Sequence, residues 1–361
     1  MINFPEGNAI VYCEGAFTTP NGKTAHGLVR RTDRYNVISV VDSTNAGSDA
    51  GILLNNNPAG IPVHRTIKES CDFFKTDSKP THLVIGIAPD GGRLDSSARD
   101  DIKTAIEFGL NIDSGLHDFL SEDPELVKLA LKHGIKIRDV RKTPPRNQLH
   151  FFSGKIEEVN SLVIAVLGTD SAIGKRTTSW ILKEALENMS YKVDMIGTGQ
   201  TAWMQGVRYG LILDSLINDF VSGEIEHAVW QAWYDNRPDI IIIEGQGSLM
   251  NPAYPGGFEI LAAGRPDIVI LQHAPARKEY DGFPGYVLHP LDKQIRAIEM
   301  LSSRPVAAIT VNHENLGIDT AASVCEEITI DTGLPAFDVI LDGASGLAET
   351  VLKYLKSEKL E

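Results

Sequence analysis

The sequence has few cysteines, no long apolar run and no excess of basic residues. Its 361 residues include three cysteines, which lie far apart and form no CxxC pair. At least one of them stays unpaired, so we expect neither a disulfide scaffold nor a thiolate zinc site. No apolar run approaches the roughly 20 residues of a membrane-spanning helix, and the N-terminus lacks a signal-peptide pattern. We therefore expect a cytoplasmic protein with no membrane partner.

The charge balance is acidic. The chain has 34 Lys and Arg against 48 Asp and Glu, which gives a formal net charge of −14. A nucleic-acid surface needs a basic face, so we expect no nucleic-acid partner. A small anion site is still compatible with this charge, because a few backbone N–H groups and one lysine hold a phosphate. We expect a small-molecule substrate. Proteins of this kind often form homo-oligomers, although no residue of the sequence demonstrates it.

The chain length and the hydrophobic pattern divide the sequence into two domains. Strand and helix patterns alternate in both halves, which predicts an α/β protein with open parallel sheets. The pattern stops between Arg141 and Ser161, a stretch with two consecutive prolines. We predict domains of residues 1–150 and 151–361. The predicted strands are Ala9–Tyr12, Val37–Val41, Leu83–Ile87, Lys136–Val140, Leu162–Leu167, Val193–Ile196, Ile240–Ile243, Ile268–Leu271 and Val306–Val311. The predicted helices are Ser97–Phe108, Pro124–His133, Thr177–Asn188, Ser215–Tyr234 and Leu291–Leu301.

The most informative stretch is VIAVLGTDSAIGKRTTSWILKEALE. A buried strand runs into a glycine-bearing loop, Gly168–Gly174, and then into a helix. Such a loop points successive N–H groups inward, and the helix N-terminus adds partial positive charge. Lys175 would reach the outer phosphates, and Thr177 or Thr178 would offer a hydroxyl to Mg²⁺. The sequence predicts a phosphate-binding loop for acetyl-CoA, ATP or GTP. The residues predicted to bind the cofactor are Gly168, Thr169, Asp170, Ser171, Gly174, Lys175, Arg176, Thr177, Thr178 and Asn312.

The loop departs from the pattern GxxxxGK[ST] at two positions. The first glycine position holds Thr169, and Arg176 follows the lysine directly. The segment GTDSAIGK nevertheless resembles the loop of dethiobiotin synthetases, which read GTDTxxGKT. That resemblance implies a downstream strand that delivers Glu244 to a metal ion and another that places Asn312 against a base. We predict Thr177 and Glu244 as magnesium ligands. The alternative for Glu244 is a strand-terminal acid that caps the next loop.

Further polar residues follow neighbouring strands in GTGQT, EGQG and QHAPAR. Ligands of open α/β sheets bind outside the carboxyl ends of the strands. We therefore predict Gln200, Thr201 and Gln246 as hydrogen-bonding contacts of the substrate, and Arg277 as a carboxylate clamp. His273 is a candidate general base, with a structural histidine as the alternative. The predicted catalytic residues are Lys175, Glu244 and His273.

The motifs NGKTAHGLVR, VVDSTNAG, IGIAPDGG, LNIDSGLHDFL, GTDSAIGK, GTGQT and EGQGSL occur in this order along the chain. Together, from about Ala9 to Leu341, they resemble a two-domain family long known as a domain of unknown function, which includes D-glutamate N-acetyltransferases. The resemblance implies a Rossmann-like N-terminal domain and a P-loop NTPase-like C-terminal domain. It also implies acetyl transfer from acetyl-CoA to the amine of D-glutamate. The family usually has Met and Thr after the lysine, whereas this chain has Arg176.

Three functional classes follow from these patterns. The first is a small-molecule N-acyltransferase, in which the loop holds the coenzyme A phosphates and His273 or Glu244 deprotonates the amine. The Gln200–Thr201 turn or Arg277 would hold the carboxylate of an amino acid. The second is an ATP- and Mg²⁺-dependent enzyme of dethiobiotin-synthetase type that phosphorylates a carboxylate or carbamate. The third is a nucleotide-binding regulatory protein. The loop chemistry favours the second class, and the family resemblance favours the first.

Overall fold

The computed structural model describes residues 4–74, 78–88 and 92–358, and the chain forms two compact units. The first unit comprises residues 1–143 and 200–206, and the second comprises residues 144–199 and 207–361. The units therefore divide between Thr143 and Pro144, whereas the sequence predicts a single break after residue 150. The short segment Gln200–Gly206 belongs to the first unit although its neighbours in sequence belong to the second. Of the motifs above, the part of IGIAPDGG at residues 89–91 lies outside the described residues.

The first unit is built on a parallel sheet, in which the described strands have the order β3-β2-β1-β4-β5-β6. Alternate residues of β1 face opposite sides of this sheet: Ile10 and Tyr12 join one apolar core, and Ala9 and Val11 join the other. Both faces are therefore covered, as in parallel sheets generally. The strands are β1 (Gly7–Tyr12), β2 (Tyr35–Val41), β3 (Val63–His64), β4 (His82–Ile85), β5 (Asn111–Ser114) and β6 (Ile137–Asp139). The helices are α1 (Lys23–Arg30), α2 (Ala50–Asn55), α3 (Ile67–Phe73), α4 (Ser96–Glu107) and α5 (Pro124–His133).

The second unit is built on a longer parallel sheet, whose described strands have the order β13-β12-β11-β7-β10-β8-β9. The sequence-predicted strands and helices of this half are confirmed, with ends that shift by a few residues. The strands are β7 (Leu162–Gly168), β8 (Val193–Gly197), β9 (Tyr209–Gly210), β10 (Ile240–Glu244), β11 (Ile268–His273), β12 (Val306–Val311) and β13 (Ala336–Phe337). The helices are α6 (Lys175–Asn188), α7 (Gln200–Met204), α8 (Asn218–Asn236), α9 (Gly257–Gly264), α10 (Leu291–Ser302), α11 (Ile318–Thr332) and α12 (Ser345–Glu358). Of these, α7 lies in the segment that belongs to the first unit.

Strand β7 lies in the middle of the second sheet, between β11 and β10. Its side chains alternate between two apolar cores, one shared with α6 and α12 and the other with α8, α9 and α10. All seven residues of β7 are buried, as expected for a central strand with helices on both faces. Because the paired strands are parallel, the loops that follow β7, β8, β10, β11 and β12 leave the sheet at the same edge. This edge carries most of the residues that the sequence singled out.

Within the described residues, no helix is long and apolar enough to cross a membrane.

Candidate phosphate-binding site

The predicted strand–loop–helix is present, with the loop running from the end of β7 to the start of α6. Gly174, directly before the helix, has a φ of +104°, a left-handed conformation that favours glycine. Gly168 and Gly245 leave space for the Lys175 side chain. A Cβ on Gly168 would lie 2.9 Å from Cδ of Lys175, and a Cβ on Gly245 would lie 3.1 Å from the same atom. The glycines therefore form a narrow cradle around the lysine.

Lys175 is only 6% exposed within this cradle. Its Nζ donates a hydrogen bond of 2.6 Å to the backbone oxygen of Asp170, and the described residues provide it with no other hydrogen-bond acceptor. Burial lowers the pKa of Lys175 to about 8, although the carboxylates of Asp170 and Glu244 favour its charged form. An ammonium group has three N–H donors. Two donors are thus left for an anionic ligand.

The Asp170 side chain, predicted to bind the cofactor, is fully buried and bonded to the protein itself. One carboxylate oxygen accepts hydrogen bonds from Nδ2 of Asn251 at 2.9 Å and from the N–H of Ser171 at 2.7 Å. The other accepts from Arg277 and from the N–H of Asp281, both at 2.8 Å. Four donors satisfy this carboxylate, so its role in the structure is to hold the loop in shape.

Arg277, predicted as a carboxylate clamp, already bridges two acidic side chains. Its Nη1 donates to Asp170 and, at 2.7 Å, to the backbone oxygen of Ser171. Its Nε and Nη2 donate to the two carboxylate oxygens of Glu314. Burial disfavours the charge, but the bonds to Glu314 and Asp170 outweigh it and keep the pKa of Arg277 above its usual value. The described residues accept four of the five N–H donors of Arg277, which leaves one N–H of Nη2 for a substrate carboxylate.

Glu244 ends β10, beside the central strand β7, and is 3% exposed. Its carboxylate accepts a hydrogen bond of 3.1 Å from the N–H of Thr198, and its backbone oxygen accepts from the Thr198 hydroxyl at 2.9 Å. Burial raises the pKa of Glu244, while the positive charges of Arg176 and Lys175 oppose this shift. The acid thus caps the loop after β8 and also faces the cations of the phosphate loop.

The two threonines after Arg176 differ in their surroundings. Thr178 is buried, and its hydroxyl donates to Oε1 of Gln272, which also accepts from the hydroxyl of Thr310 at 2.7 Å. Thr177 is part-exposed in the first turn of α6. The Thr178 hydroxyl therefore anchors the helix to β11.

His273 and Asn312 support the loop from the two neighbouring strands. The hydroxyl of Thr169 and Nδ1 of His273 are 3.0 Å apart and hydrogen-bonded. Burial lowers the pKa of His273 to about 4, with a smaller contribution from Lys278, so the ring is neutral at pH 7. Nδ2 of Asn312 donates to the backbone oxygen of Ile173 at 2.9 Å. In the structure Asn312 therefore contacts the phosphate loop itself.

The predicted substrate contacts are divided between the two units. Gln246 follows β10 in the second unit and lies against Gly199, where a Cβ would be 2.6 Å from its Nε2. Gln200 and Thr201 belong to the first unit instead. The hydroxyl of Thr201 is 3.0 Å from the hydroxyl of Thr24 and hydrogen-bonded to it. Gln200 and Thr201 directly follow the glycines after β8 in the sequence, and this position does not indicate that they belong to the first unit.

Several residues of the site carry no sequence signal. Asn251 and Glu314 complete the hydrogen bonds of Asp170 and Arg277, and Gln272 anchors Thr178. Gln272 lies next to the predicted His273 at the end of a strand, and this position could have identified Gln272 from the sequence. Asn251 and Glu314 lie in irregular loops. No group of three or more His, Cys, Asp or Glu that could hold a metal ion occurs in the described part of the chain.

The two halves of the chain match the two domains of one family. The P-loop domain of the domain of unknown function DUF1611 matches residues 150–348, and its Rossmann-like domain matches residues 43–143. The chain belongs to the DUF1611 family. This membership confirms both the resemblance and the fold expected from the sequence.

Relatives of known structure or activity cover most of the chain. A D-glutamate N-acetyltransferase from a Pseudoalteromonas species is 32% identical over 284 residues, which is 77% of this chain and 82% of the relative. A D-glutamate N-acetyltransferase from Tritonibacter scottomollicae is 32% identical over 276 residues, 74% of this chain and 80% of the relative. The crystal structure of a DUF1611 protein from Anabaena variabilis is 29% identical. The two structures superpose over 96% of this chain and 100% of the Anabaena chain, with a TM-score of 0.89.

Proposed function

We propose that this protein is an N-acetyltransferase that acetylates the amine of D-glutamate or a related amino acid, with acetyl-CoA as the donor. The observation that carries the proposal is the likeness to two D-glutamate N-acetyltransferases over about three quarters of the chain. The match extends over most of the length of these relatives as well. The shared region is thus large enough to include a complete active site.

The phosphate loop supports this function by its chemistry. The glycines at 168 and 174, the first turn of α6 and the two unused N–H donors of Lys175 form a site for an anion. Coenzyme A carries phosphates that these groups would hold, and it supplies an acetyl group activated as a thioester. On this proposal Lys175 binds the donor and takes no part in proton transfer.

Two side chains at the same sheet edge are proposed as the base. An amine must lose a proton as it attacks, so a proton acceptor is required near it. His273 is neutral at pH 7, and its Nδ1 is hydrogen-bonded to the Thr169 hydroxyl. In the tautomer whose Nδ1–H donates to Thr169, Nε2 is the proton-accepting atom. Glu244 is the alternative, because burial raises the pKa of its carboxyl group. We propose Gln246 and Arg277 as contacts of the substrate carboxylates.

The direct test is an acetyl-transfer assay on the purified protein. We expect release of free coenzyme A and formation of N-acetylglutamate, identified by mass spectrometry, with acetyl-CoA and D-glutamate. L-Glutamate and D-aspartate serve as competing amines. Lys175→Ala is expected to lose most activity, whereas Lys353→Ala, which removes an exposed lysine of α12, leaves it unchanged. Absence of transfer to every amino acid tested would reject the proposal.

An ATP- and Mg²⁺-dependent activity is the second candidate, favoured by the place of Glu244 at the end of a strand next to β7. The same protein preparation separates the two. ADP or inorganic phosphate released only in the presence of a carboxylate or carbamate substrate would support this candidate. Acetyl transfer without ATP would reject it.

A further inference from the structure

The residues around Lys175 do not fit the magnesium ion that a P-loop ordinarily uses. In that arrangement a Ser or Thr directly after the lysine offers its hydroxyl to the ion. Here Arg176 occupies this position, and a guanidinium has no acceptor atom for a metal. Thr177 is one residue further along the chain, so its side chain is rotated by about 100° around the helix from the position of Arg176. The hydroxyl of Thr178 donates to Gln272 instead.

Glu244, the acid that would complete a metal site, already has a hydrogen-bond partner in the protein. The Glu244 carboxylate accepts the N–H of Thr198 at 3.1 Å. Among the charges that face it, Arg176 favours its ionised form most strongly, ahead of Lys175. Glu244 is 3% exposed, so its carboxylate lies in a region of low dielectric where electrostatic attraction to nearby positive charges is strong. The acid that would ligate a metal ion is therefore already stabilised by the charge of Arg176.

We propose that Arg176 replaces the metal ion, so that the loop binds a diphosphate without magnesium. Lys175 and Arg176 together supply two positive charges, which match the two negative charges of a diphosphate diester. The N–H groups at the start of α6 add partial positive charge. The ligand class that fits is the diphosphate of coenzyme A, rather than a magnesium nucleoside triphosphate. This identification of the ligand rests on the proposed function, whereas metal-free binding does not.

Calorimetric titration of the full chain tests this, with two probes. Coenzyme A tests the ligand of the proposed function, and inorganic diphosphate tests the loop alone. We expect both probes to bind in EDTA, and we expect added magnesium not to tighten the binding of coenzyme A. Arg176→Gln is expected to weaken both by roughly 10- to 100-fold, because a charge-assisted contact is lost. Arg296→Gln removes a surface arginine that is 74% exposed, and leaves both affinities unchanged.

Two further variants separate a charge effect from a folding defect. Arg176→Lys keeps the charge and is expected to retain part of the metal-free affinity. Arg176→Thr restores the hydroxyl after Lys175 and is expected to bind diphosphate weakly in EDTA and more tightly with magnesium. Thermal unfolding of each variant reports whether it folds.

The results distinguish this proposal from the proposed function. Binding by the unsubstituted protein that requires magnesium, or an Arg176→Gln affinity equal to that of the unsubstituted protein, would overturn the proposal. Metal-free diphosphate binding that depends on Arg176, in a protein without acetyl transfer, would support the proposal and reject the proposed function. Acetyl transfer that is abolished by EDTA and restored by magnesium would support the proposed function and overturn the proposal of metal-free binding.

Discussion

At the scale of single residues, Lys175 is a buried ammonium group with one hydrogen-bond partner among the described residues. Its ammonium lies between two glycines with one backbone oxygen as its partner, and its pKa falls to about 8. A protein interior disfavours an unpaired charge. A bound phosphate would supply the missing partner and raise the pKa again. Binding of an anion would therefore offset the cost of burying the lysine.

This coupling predicts a pH dependence of binding. Below pH 8 Lys175 is charged in the free and the bound protein, so affinity for coenzyme A changes little. Above pH 8 the free lysine is neutral and must take up a proton, so affinity falls by up to about tenfold per pH unit. Calorimetry from about pH 7 to about pH 10 measures this, with proton uptake read from buffers of different ionisation enthalpy. Lys175→Ala should bind weakly and lose this slope. An affinity of the unsubstituted protein that stays constant to pH 10 would contradict the pKa shift of Lys175 as the cause.

At the scale of elements, the cradle around Lys175 is made by the backbone of two strand ends. Gly245 follows β10 so closely against β7 that a Cβ there would lie 2.4 Å from the backbone oxygen of Val166 and 3.1 Å from Cδ of Lys175. Real Cβ atoms do not approach a backbone atom so closely. The spacing of the two strands and the room for the lysine therefore depend on the same glycine.

Gly245→Ala is expected to displace this edge of the sheet. We predict a loss of about 1–3 kcal/mol in the free energy of unfolding, as for overpacking in a core, together with weaker binding of diphosphate. Gly317→Ala is a matched control, because a Cβ there meets its nearest atom, Oγ1 of Thr320, at 3.4 Å. Urea unfolding and calorimetry measure both effects. Equal stability and affinity for the two variants would show that the cradle is not tight.

Local patterns predicted the phosphate-loop elements well, because their signals are local. The apolar run of β7, the glycines of the loop and the helix after Lys175 all follow one another in sequence, and β10 is a continuous apolar run ending in Glu244. Elements with weaker patterns shifted: the helix predicted from Ser215 begins at Asn218, after a short 3-10 turn at Leu213–Ser215. The pairing of residues distant in sequence, such as Asp170 with Arg277, has no local signal.

At the scale of the whole molecule, the chain leaves the second unit after Gly199 and returns at Val207. The intervening segment completes the first unit. Cζ of Arg34 lies 3.6 Å from the centroid of the Trp203 ring. Nε of Arg34 donates a hydrogen bond of 2.7 Å to the backbone oxygen of Trp203. Nε2 of Gln205 donates to the backbone oxygens of Gly27 and Arg31. The place of this segment in the first unit depends on contacts between residues far apart in sequence. Composition and local motifs carry no signal for such contacts, so they predicted a single domain boundary.

The stability of the first unit should therefore depend on Trp203, which lies more than fifty positions after Thr143 in the sequence. Trp203→Ala is expected to destabilise the first unit by about 2–4 kcal/mol, through lost packing and lost cation–π contact. Hydrogen exchange would show faster opening of β1 and β2 in this variant. Tyr234→Ala, at a residue 55% exposed on α8, is the control and leaves these strands unchanged. Unchanged exchange of β1 and β2 in Trp203→Ala would contradict this dependence.

The central claim is that the loop at Lys175 binds the acetyl donor of an N-acetyltransferase. Calorimetric titration of acetyl-CoA in EDTA, beside titration of ATP with magnesium, tests it most directly. We predict that acetyl-CoA binds to the unsubstituted protein, that Lys175→Ala weakens this binding by roughly 10-fold or more, and that ATP with magnesium binds weakly. Tight binding of ATP with magnesium, with acetyl-CoA unbound or bound equally well by Lys175→Ala, would contradict the claim.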